Sequence, residues 1–561
     1  MKNRILLVTT VLLIAGIIAA WVYGRPAYRQ YKENRAITQA QAFMSRGEYN
    51  NASVSAREAL ILNSNNLAAC ELMADLSDKS RSPQTLEWRR RIANLSPTLP
   101  NRLTYASACL RFQSKPYPMA AQILEDLGAS AQESAMYHAV AADLAMRLGK
   151  TADAVSHFEA AARLDPTNQL YRMNISVLQL QSTNENAATT ARQTLERLGN
   201  DPQLGVFALR WLVEDYLRHG DLASAGRFST KLLENPGADL PDRLDHLNIL
   251  QQTKNPEFDA YLRAVQNGAA TNASSTYALA SWMLGRSMAE GAQQWLTNCP
   301  AKIRSEQPVP LAFVDCYIAR KDWLGLDAYL VDQQWHDLEY LRFAYLSRAS
   351  EQLQQQMAAE ARWRSAVRAT DNQLSSLNTL LNMAKAWNRI HAEEDLLAQI
   401  GQYYHRERWA SRDLERLYLA AGDTEGLNKF YAMKAESDST NYVALNNLAA
   451  TSLLLKTNLP RAFEISKQLY QNHPGDAVIA TTYAYSLLLQ KRPKEGVDVL
   501  DKLGPESLEQ PGVALYYGIL LSANGQRDVA AKYLELAQTV RNLPEEKQLI
   551  SEAAKKPANR K

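Results

Sequence analysis

The sequence predicts an all-α protein in which helices form pairs and the pairs stack into a solenoid. Three observations support this fold class. Residue types that favour helices, such as Ala, Leu, Gln, Glu and Arg, are plentiful in the 561-residue chain. Series of short alternating β-branched runs, which would indicate a sheet, are missing. Amphipathic helical stretches alternate with turn glycines and closing prolines. Because a chain of this length exceeds one compact core, we expect an array of repeated units.

The first segment, residues 1–24, is predicted to be a membrane anchor. Ile5 to Tyr23 carries no charge, and a helix of this length spans about 28 Å, close to the hydrocarbon core of a bilayer. A cleaved signal peptide is the alternative, but its cleavage site would be poor because Ile18 lies two positions before Ala20. We expect a single-pass protein of a bacterial inner membrane through residues 5–23. The large domain is expected outside the cytoplasm, since long domains translocate largely regardless of flanking charge.

The best-formed unit is Ser134 to Asn168, which reads SAMYHAVAADLAMRLGKTADAVSHFEAAARLDPTN. Two amphipathic helical patterns flank Gly149, and Pro166 ends the second, because Gly permits a tight turn and Pro cannot continue a helix. Phe158 is the large apolar residue of the second helix. Small residues occupy the positions where two helices would touch: Ala141, Ala142, Ala145, Ala154 and Ala161.

This unit resembles a tetratricopeptide repeat (TPR), whose period is about 34 residues. The resemblance implies a right-handed α-solenoid of TPR-like helix pairs, preceded here by one transmembrane helix. It also implies that the first helix of each repeat lines a groove that usually holds an extended or helical peptide. It is informative about the fold and says little about any one activity.

Repeat character varies along the rest of the chain. Residues 25–238 are predicted to form an N-terminal array and residues 409–545 a C-terminal array, because turn glycines, small residues and closing prolines recur there. Residues 239–408 keep helical periodicity but match the repeat poorly, so we expect divergent helix pairs. Asn267 to Ser275 is the most loop-like segment and could mark a bend or a domain boundary. Residues 546–561 are predicted to be a basic, disordered tail.

Composition and motifs argue against several classes of function. The 62 Lys and Arg residues nearly balance 59 Asp and Glu residues, which does not indicate a nucleic-acid-binding protein. Residues 149–151 read GKT, but a phosphate loop needs Gly where Leu144 stands and a preceding strand. The histidines and cysteines match no metal-binding spacing. A disulfide between Cys299 and Cys316 is one alternative that the sequence leaves undecided. We therefore expect no catalytic residue, no cofactor and no metal, and hence no enzyme.

The TPR resemblance places a peptide-binding groove on the first helices. In the opening repeat it assigns Met136, Asp143, Met146 and Arg147 to the groove, and in the unit at Tyr442 it assigns Val443, Asn446 and Leu453. The clamp with which some TPR proteins bind a C-terminal carboxylate is not indicated, because Ala139, Asp143 and Asn174 at its positions bring no positive charge. Some of these residues could instead pack between helices, since a one-residue register error rotates a side chain by about 100°.

Together these features predict a membrane-anchored scaffold that binds a protein or peptide ligand, with bacterial envelope or surface-polysaccharide assembly as the setting by family analogy. One alternative is a cytoplasm-facing regulatory adaptor of envelope biogenesis. The TPR proteins of lipopolysaccharide regulation that it would resemble carry a C-terminal metal-binding cysteine pair, which this chain lacks. Another alternative is an accessory repeat subunit of an enzyme complex such as a glycosyltransferase. The sequence does not determine the oligomeric state.

Overall fold

The structure is a computed structural model, and it describes residues 25–404 and 408–555. The predicted anchor at residues 5–23 and residues 556–561 of the predicted tail lie outside the described residues. The regular elements of the described chain are all helices, with no strand among them. Within the same residues, the search for a helix with the length and apolar character to span a bilayer finds none. The predicted all-α helical-repeat fold is confirmed for this part of the chain.

The chain divides into two compact units, of which the first ends at Phe313 and the second begins at Val314. The helices that begin in the first unit include a 3₁₀ turn at Gly128–Ala131 and, in chain order, are α1 Arg25–Ser45, α2 Tyr49–Leu62, α3 Leu67–Lys79, α4 Gln84–Leu95, α5 Leu99–Phe112, α6 Pro118–Leu127, α7 Ala135–Leu148, α8 Thr151–Leu164, α9 Gln169–Gln179, α10 Glu185–Leu198, α11 Gly205–Arg218, α12 Leu222–Leu233, α13 Leu240–Gln252, α14 Phe258–Ala269, α15 Ala273–Leu284, α16 Ala289–Asn298, α17 Ala301–Ser305 and α18 Val309–Ala319.

The second unit continues the same construction. Its helices include a 3₁₀ turn at His336–Leu338 and are α19 Trp323–Val331, α20 Glu339–Gln352, α21 Gln356–Ala369, α22 Leu374–Ala386, α23 Ile390–Tyr403, α24 Arg408–Ala421, α25 Thr424–Ser437, α26 Tyr442–Leu455, α27 Leu459–Asn472, α28 Ala477–Leu489, α29 Pro493–Leu500, α30 Pro505–Leu508, α31 Pro511–Ala523, α32 Arg527–Ala537 and α33 Pro544–Ala554.

The pair α7–α8 shows why the local sequence folds in this way. The Ser134 hydroxyl accepts a hydrogen bond from the Tyr137 amide and so caps α7. Gly149 ends α7 with φ +81°, a backbone conformation that side-chain-bearing residues rarely adopt. The predicted interhelix alanines are all buried, and Phe158 packs in one cluster with Ala142. The prediction of a helix pair with small contact residues is therefore confirmed for this unit.

The middle of the chain is more regular than its sequence suggests. The loop-like segment Asn267 to Ser275 falls mostly within helices, because α14 continues to Ala269 and α15 starts at Ala273. Asn272 begins α15 by accepting a hydrogen bond from the Ser275 amide, so its polar residues serve as a helix cap. The division between the two compact units falls inside α18 instead.

Two further features differ from the sequence-based expectations. Residues 546–554, predicted to begin a disordered tail, belong to the helix α33. All four cysteines lie in the described chain as free, buried thiols, so the disulfide left open between Cys299 and Cys316 is not formed. These cysteines are core residues, which is the commonest role of an unpaired buried cysteine.

Candidate functional site

The predicted groove residues of the opening repeat form an accessible strip along α7. Met146 is 36% exposed, and Met136, Asp143 and Arg147 are half-buried. Arg147 Nε donates to Asp143 Oδ1 at 2.9 Å, a spacing of four residues that places both side chains on one helix face. We call Met136, Asp143, Met146 and Arg147 the α7 strip, in which Met146 is the most exposed side chain.

An open cleft adjoins the segment that packs on this strip. The Arg147 guanidinium lies over the ring of Tyr117, 5.9 Å from its centroid. Tyr117 belongs to the turn between α5 and α6. The residues around this turn border a cleft of about 650 Å³, lined by Phe112, Gln113, Ser114, Pro118, Met119 and Gln122. A lining of apolar side chains with a few polar groups is typical of ligand-binding clefts.

The predicted groove residues of α26 do not share one accessible face. Val443 is 53% exposed, whereas Asn446 is 3% exposed and Leu453 is fully buried. Leu453 packs in a cluster with Leu454, Ala462 and Tyr485. Seven residues turn a helix by about 700°, so Asn446 and Leu453 lie on one stripe, while Val443 lies about 60° away from it. Asn446 and Leu453 are therefore core residues, which corrects their assignment to an accessible groove.

The surface that a groove would offer in the second unit is instead covered by α33. This helix contacts α26 and α31, the first helices of two different pairs, and also α32, the second helix of the last pair. Before α33 begins, the Arg541 guanidinium donates to the Ala420 carbonyl oxygen at the end of α24. The Pro544 ring lies 3.4 Å from the position that a Cβ on Gly422 would occupy. The covered surface, hereafter the C-terminal face, comprises Gly422, Thr424, Leu454, Tyr485, Tyr516 and Ser522.

Two carboxylates fix the start of α33 on the C-terminal face. Thr424 Oγ1 donates to Glu545 Oε2 at 2.5 Å, and the Tyr516 hydroxyl donates to Glu546 Oε1 at 2.8 Å. The second oxygen of Glu546 accepts the Leu543 amide at 2.8 Å, which caps the helix at its first turn. The hydroxyl groups of Thr424 and Tyr516 therefore donate hydrogen bonds to two consecutive acidic side chains.

Apolar side chains and one further hydrogen bond hold the rest of α33. Leu549 packs against the cluster that contains Leu454 and Tyr485, and Ile550 is buried in the adjoining cluster. The Ser522 hydroxyl donates to the Ala553 carbonyl oxygen at 2.8 Å, near the last turn of the helix. α33 thus binds by an apolar stripe with polar contacts at both ends, as amphipathic helices bind in grooves.

Electrostatics on this face reflect the acidic residues of α33. Burial, and then the Glu546 carboxylate, raise the pKa of Tyr516 well above its usual value of 10.0. Burial, and then the negative charges of Glu546 and Glu552, raise the pKa of Tyr485 to about 12. The ring centroids of these two tyrosines are 5.1 Å apart. Because the carboxylates of α33 act on both, both hydroxyl groups lie in a region of negative potential.

The first unit presents a different surface on the first helices α11, α13 and α15. Arg210 Nε and one of its terminal nitrogens donate to the two Asp242 oxygens at 2.7 and 2.8 Å. The Trp282 indole donates to Asn248 Oδ1 at 3.2 Å, and the Arg286 guanidinium lies over the Trp282 ring, 4.1 Å from its centroid. We call Arg210, Asp242, Asp245, Asn248, Trp282 and Arg286 the charged face.

Acidic groups predominate in the cleft beside the charged face. This cleft, of about 470 Å³, is lined by Glu214, Asp239, Asp242 and Asp245 together with Arg210 and several apolar residues. Burial, and then the Asp242 carboxylate, raise the pKa of Asp245. Side chains from neighbouring pairs satisfy Arg210 and Asp242, so this face is stable without a covering segment.

The described residues contain no group of three or more His, Cys, Asp and Glu side chains arranged to hold a metal ion. His138 and His157 form a pair, with their Nδ1 atoms 3.0 Å apart. Gly149 and Lys150 form the turn between α7 and α8, and Thr151 begins α8. A helix precedes this turn, whereas a phosphate loop requires a strand there.

No protein-family model matches the chain, and no curated protein matches its sequence. Many solved structures resemble parts or most of it, among them the following three. PilF of Pseudomonas aeruginosa matches with 18% identity and a TM-score of 0.31, covering 40% of this chain and 99% of its own. The Cut9–Hcn1 hetero-tetramer of the APC/C matches with 13% identity and a TM-score of 0.28, covering 92% and 98%. Naa15/Naa10 bound to HypK-THB matches with 13% identity and a TM-score of 0.31, covering 93% and 78%.

These low identities and TM-scores assign the chain to no family. The fold follows from its own helix pairs, and the TPR character of the opening repeat stays a resemblance.

Proposed function

We propose that the protein is a non-enzymatic scaffold that binds protein segments on the first helices of its repeats. The observation that supports this proposal is the position of α33. An amphipathic helix lies on the C-terminal face, held by apolar contacts and by hydrogen bonds to Glu545 and Glu546. A surface that holds a helix of its own chain in this way has the chemistry that helix-in-groove recognition requires.

The corresponding accessible surface of the first unit is the α7 strip. Met146 contributes a flexible, polarisable side chain of the kind that adapts to different ligands. Asp143 and Arg147 offer one charge of each sign, and Tyr117 adds an aromatic surface beside them. We infer that an extended or helical peptide of a partner protein binds along this strip.

Site-specific photo-crosslinking tests the proposal. A photoreactive amino acid replaces Met146 in the protein expressed in its natural cells, and a second variant carries it at Ile61. Ile61 is a matched control because it is an apolar residue, 81% exposed, on the second helix of a pair. We expect adducts of discrete mass at position 146 and none of the same mass at position 61.

The variant Met146→Glu tests whether the adduct depends on the α7 strip. Met146→Glu places a charge on the strip at an exposed position, where surface changes usually alter the unfolding free energy by less than about 0.5 kcal/mol. The adduct formed from a photoreactive group at Met136 is expected to weaken in the Met146→Glu protein. Identical adducts at positions 146 and 61, or no adduct at either, would contradict ligand binding on the α7 strip.

We further propose that the chain is attached to a membrane through residues 5–23. This proposal is supported only by the uncharged sequence of that segment. The full chain is expected to sediment with membranes after high-salt washing, and the variant that lacks residues 1–24 is expected to stay in the supernatant. A reporter that is active only outside the cytoplasm, fused after Lys561, is expected to be active. A silent but expressed fusion would favour the cytoplasm-facing adaptor.

Envelope or surface-polysaccharide assembly remains the setting suggested by family analogy. A regulatory adaptor of envelope biogenesis and an accessory subunit of a glycosyltransferase complex are the two alternatives. The crosslinked partner of the α7 strip distinguishes the three, because its identity names the assembly in which the scaffold acts.

A further inference from the structure

The position of α33 is not that of a further repeat. In a repeat array each pair contacts only its neighbours. The hydrogen bond between Thr424 and Glu545 joins residues that are 121 positions apart, and several helix pairs lie between them in sequence. α33 contacts both helices of the last pair, α31 and α32, and in addition it contacts α26. A helix that only covered the end of the stack would contact the last pair and would leave Thr424 free.

Binding of α33 leaves one buried group unsatisfied. The Tyr485 side chain is 2% exposed, and its hydroxyl has no hydrogen-bond partner among the described residues. Tyr485 lies beneath a helix whose three glutamates, Glu545, Glu546 and Glu552, act on it electrostatically. An unpaired buried hydroxyl disfavours the bound state, because water would satisfy this group if the helix left. The covered state is therefore not the one in which every polar group of the face is satisfied.

We propose that the C-terminal face is a docking site for an acidic amphipathic helix of a partner protein, and that α33 occupies this site as a competing segment of the same chain. The proposal rests on the proposed function, since it names the ligand chemistry of one scaffold surface. The short connection of residues 538–543 between α32 and α33 keeps the competitor at a high effective concentration, so the free chain holds its site closed.

The contacts of α33 define the partner's chemistry. The helix begins with Pro, for which Gly422 leaves room. Its next two residues carry carboxylates that accept hydrogen bonds from Thr424 and Tyr516. Apolar side chains equivalent to Leu549 and Ile550 follow three to five residues later. The first packs against the cluster of Leu454 and Tyr485, and the second is buried in the adjoining cluster. The expected ligand is thus a helix that opens with Pro-Glu-Glu and continues with a Leu-Ile pair.

A synthetic peptide of residues 541–555, labelled with a fluorophore, serves as the probe. Three full-length proteins are compared by fluorescence anisotropy: the natural sequence, Leu549→Glu and Ser551→Glu. Leu549→Glu places a charge in the apolar stripe and should release α33, whereas Ser551 is exposed on the same helix, so Ser551→Glu adds the same charge without that effect. We expect the peptide to bind Leu549→Glu at least about 10-fold more tightly than the other two, because apparent affinity scales with the fraction of open sites.

A charge-reversed peptide that carries Glu545→Lys and Glu546→Lys controls for sequence specificity and is expected to lose the binding to the Leu549→Glu protein. Equal binding of the natural and reversed peptides, or no binding of the natural peptide to a Leu549→Glu protein that keeps its helix content, would overturn the proposal. α33 would then be a structural helix only.

Hydrogen exchange of the natural protein tests the same proposal without any substitution. A displaceable segment opens independently of the helices beneath it. The amides of α33 are therefore expected to exchange faster than those of the adjoining α31, whose own exchange stays slow. Equal protection of α33 and α31 would show one cooperative unit and would overturn the proposal. Either failure leaves the α7 crosslinking result unaffected, because that result concerns the first unit.

Discussion

The two units use the same helix-pair construction but present their first helices in different ways. The charged face of the first unit pairs its ions laterally, from Arg210 on α11 to Asp242 on α13. The C-terminal face of the second unit presents tyrosine and leucine side chains, and α33 covers it. Ion pairs between neighbouring helix pairs satisfy the charged groups of a surface without any covering segment. An apolar surface, in contrast, is stable in water only when another segment covers it. The side chains at first-helix positions therefore decide whether a face stays open.

The largest effect is expected from a pair of substitutions on α26. Leu453→Glu places an uncompensated charge in the core and should lower the free energy of unfolding by about 3–5 kcal/mol. Val443→Glu adds the same charge at an exposed position and should change it by less than about 0.5 kcal/mol. Chemical denaturation of the two variants measures the difference. Equal stability would contradict the assignment of Leu453 to the core and restore it as a groove residue.

Alkaline pH is expected to weaken the second unit through Tyr485. Its pKa of about 12 in the folded protein exceeds the value of about 10 in an unfolded chain. A raised folded pKa gives stability that is fully present below pH 10 and is lost as the pH rises through about 12. Two pKa units correspond to about 2–3 kcal/mol. The unfolding free energy of the natural protein should therefore fall more steeply above pH 10 than that of Tyr485→Phe, and parallel curves would contradict this assignment.

Packing within the two units can be compared at two fully buried alanines. Ala142→Leu should lower the unfolding free energy by about 1–3 kcal/mol, because the new side chain overpacks the cluster with Phe158. Ala449 borders a cavity of about 240 Å³, so Ala449→Leu has space to fill and should cost less than about 1 kcal/mol. Thermal denaturation of both variants ranks them, and the reverse order would show that the cavity does not relieve overpacking.

The smallest effect is expected from removing the two tyrosine hydroxyls at neutral pH. Tyr516→Phe removes the donor to Glu546 and should destabilise by about 1 kcal/mol. Tyr485→Phe removes a hydroxyl that has no partner among the described residues and should be neutral or slightly stabilising. Guanidinium denaturation at pH 7 compares the two. A larger loss for Tyr485→Phe would mean that its hydroxyl is satisfied when α33 is bound.

The helix pairs could be predicted from the sequence because their signals are local. Gly149, Pro166 and the alanines of α7 and α8 lie within one repeat period, and each acts on its immediate neighbours. The face assignment on α26 was less predictable. Its sequence is apolar on nearly every side, since the buried residues Ala444, Leu448, Leu453 and Leu454 are spread around the helix, so periodicity does not indicate which residues face outward.

The position of α33 could not be predicted from local pattern, since its defining contacts join residues 121 positions apart. Its existence had a weak signal that favoured a helix over a disordered tail. Pro544 is followed by Glu545 and Glu546, and Pro at the first helical position with acidic residues in the first turn is a helix-start pattern. Because polar residues surround Leu549 and Ile550 in the sequence, the pattern does not predict that these two side chains form a buried apolar stripe.

One distance measurement tests most directly whether the C-terminal face is a helix-binding site held closed by α33. Spin labels on cysteines placed at the exposed positions Glu425 and Lys547 report the separation of α25 and α33, next to the contact between Thr424 and Glu545. Electron paramagnetic resonance should give a single short, narrow distance distribution, which shifts to long distances when an excess of the 541–555 peptide is added. A broad distribution without peptide, or a narrow one that a saturating excess of peptide leaves unchanged, would contradict this account.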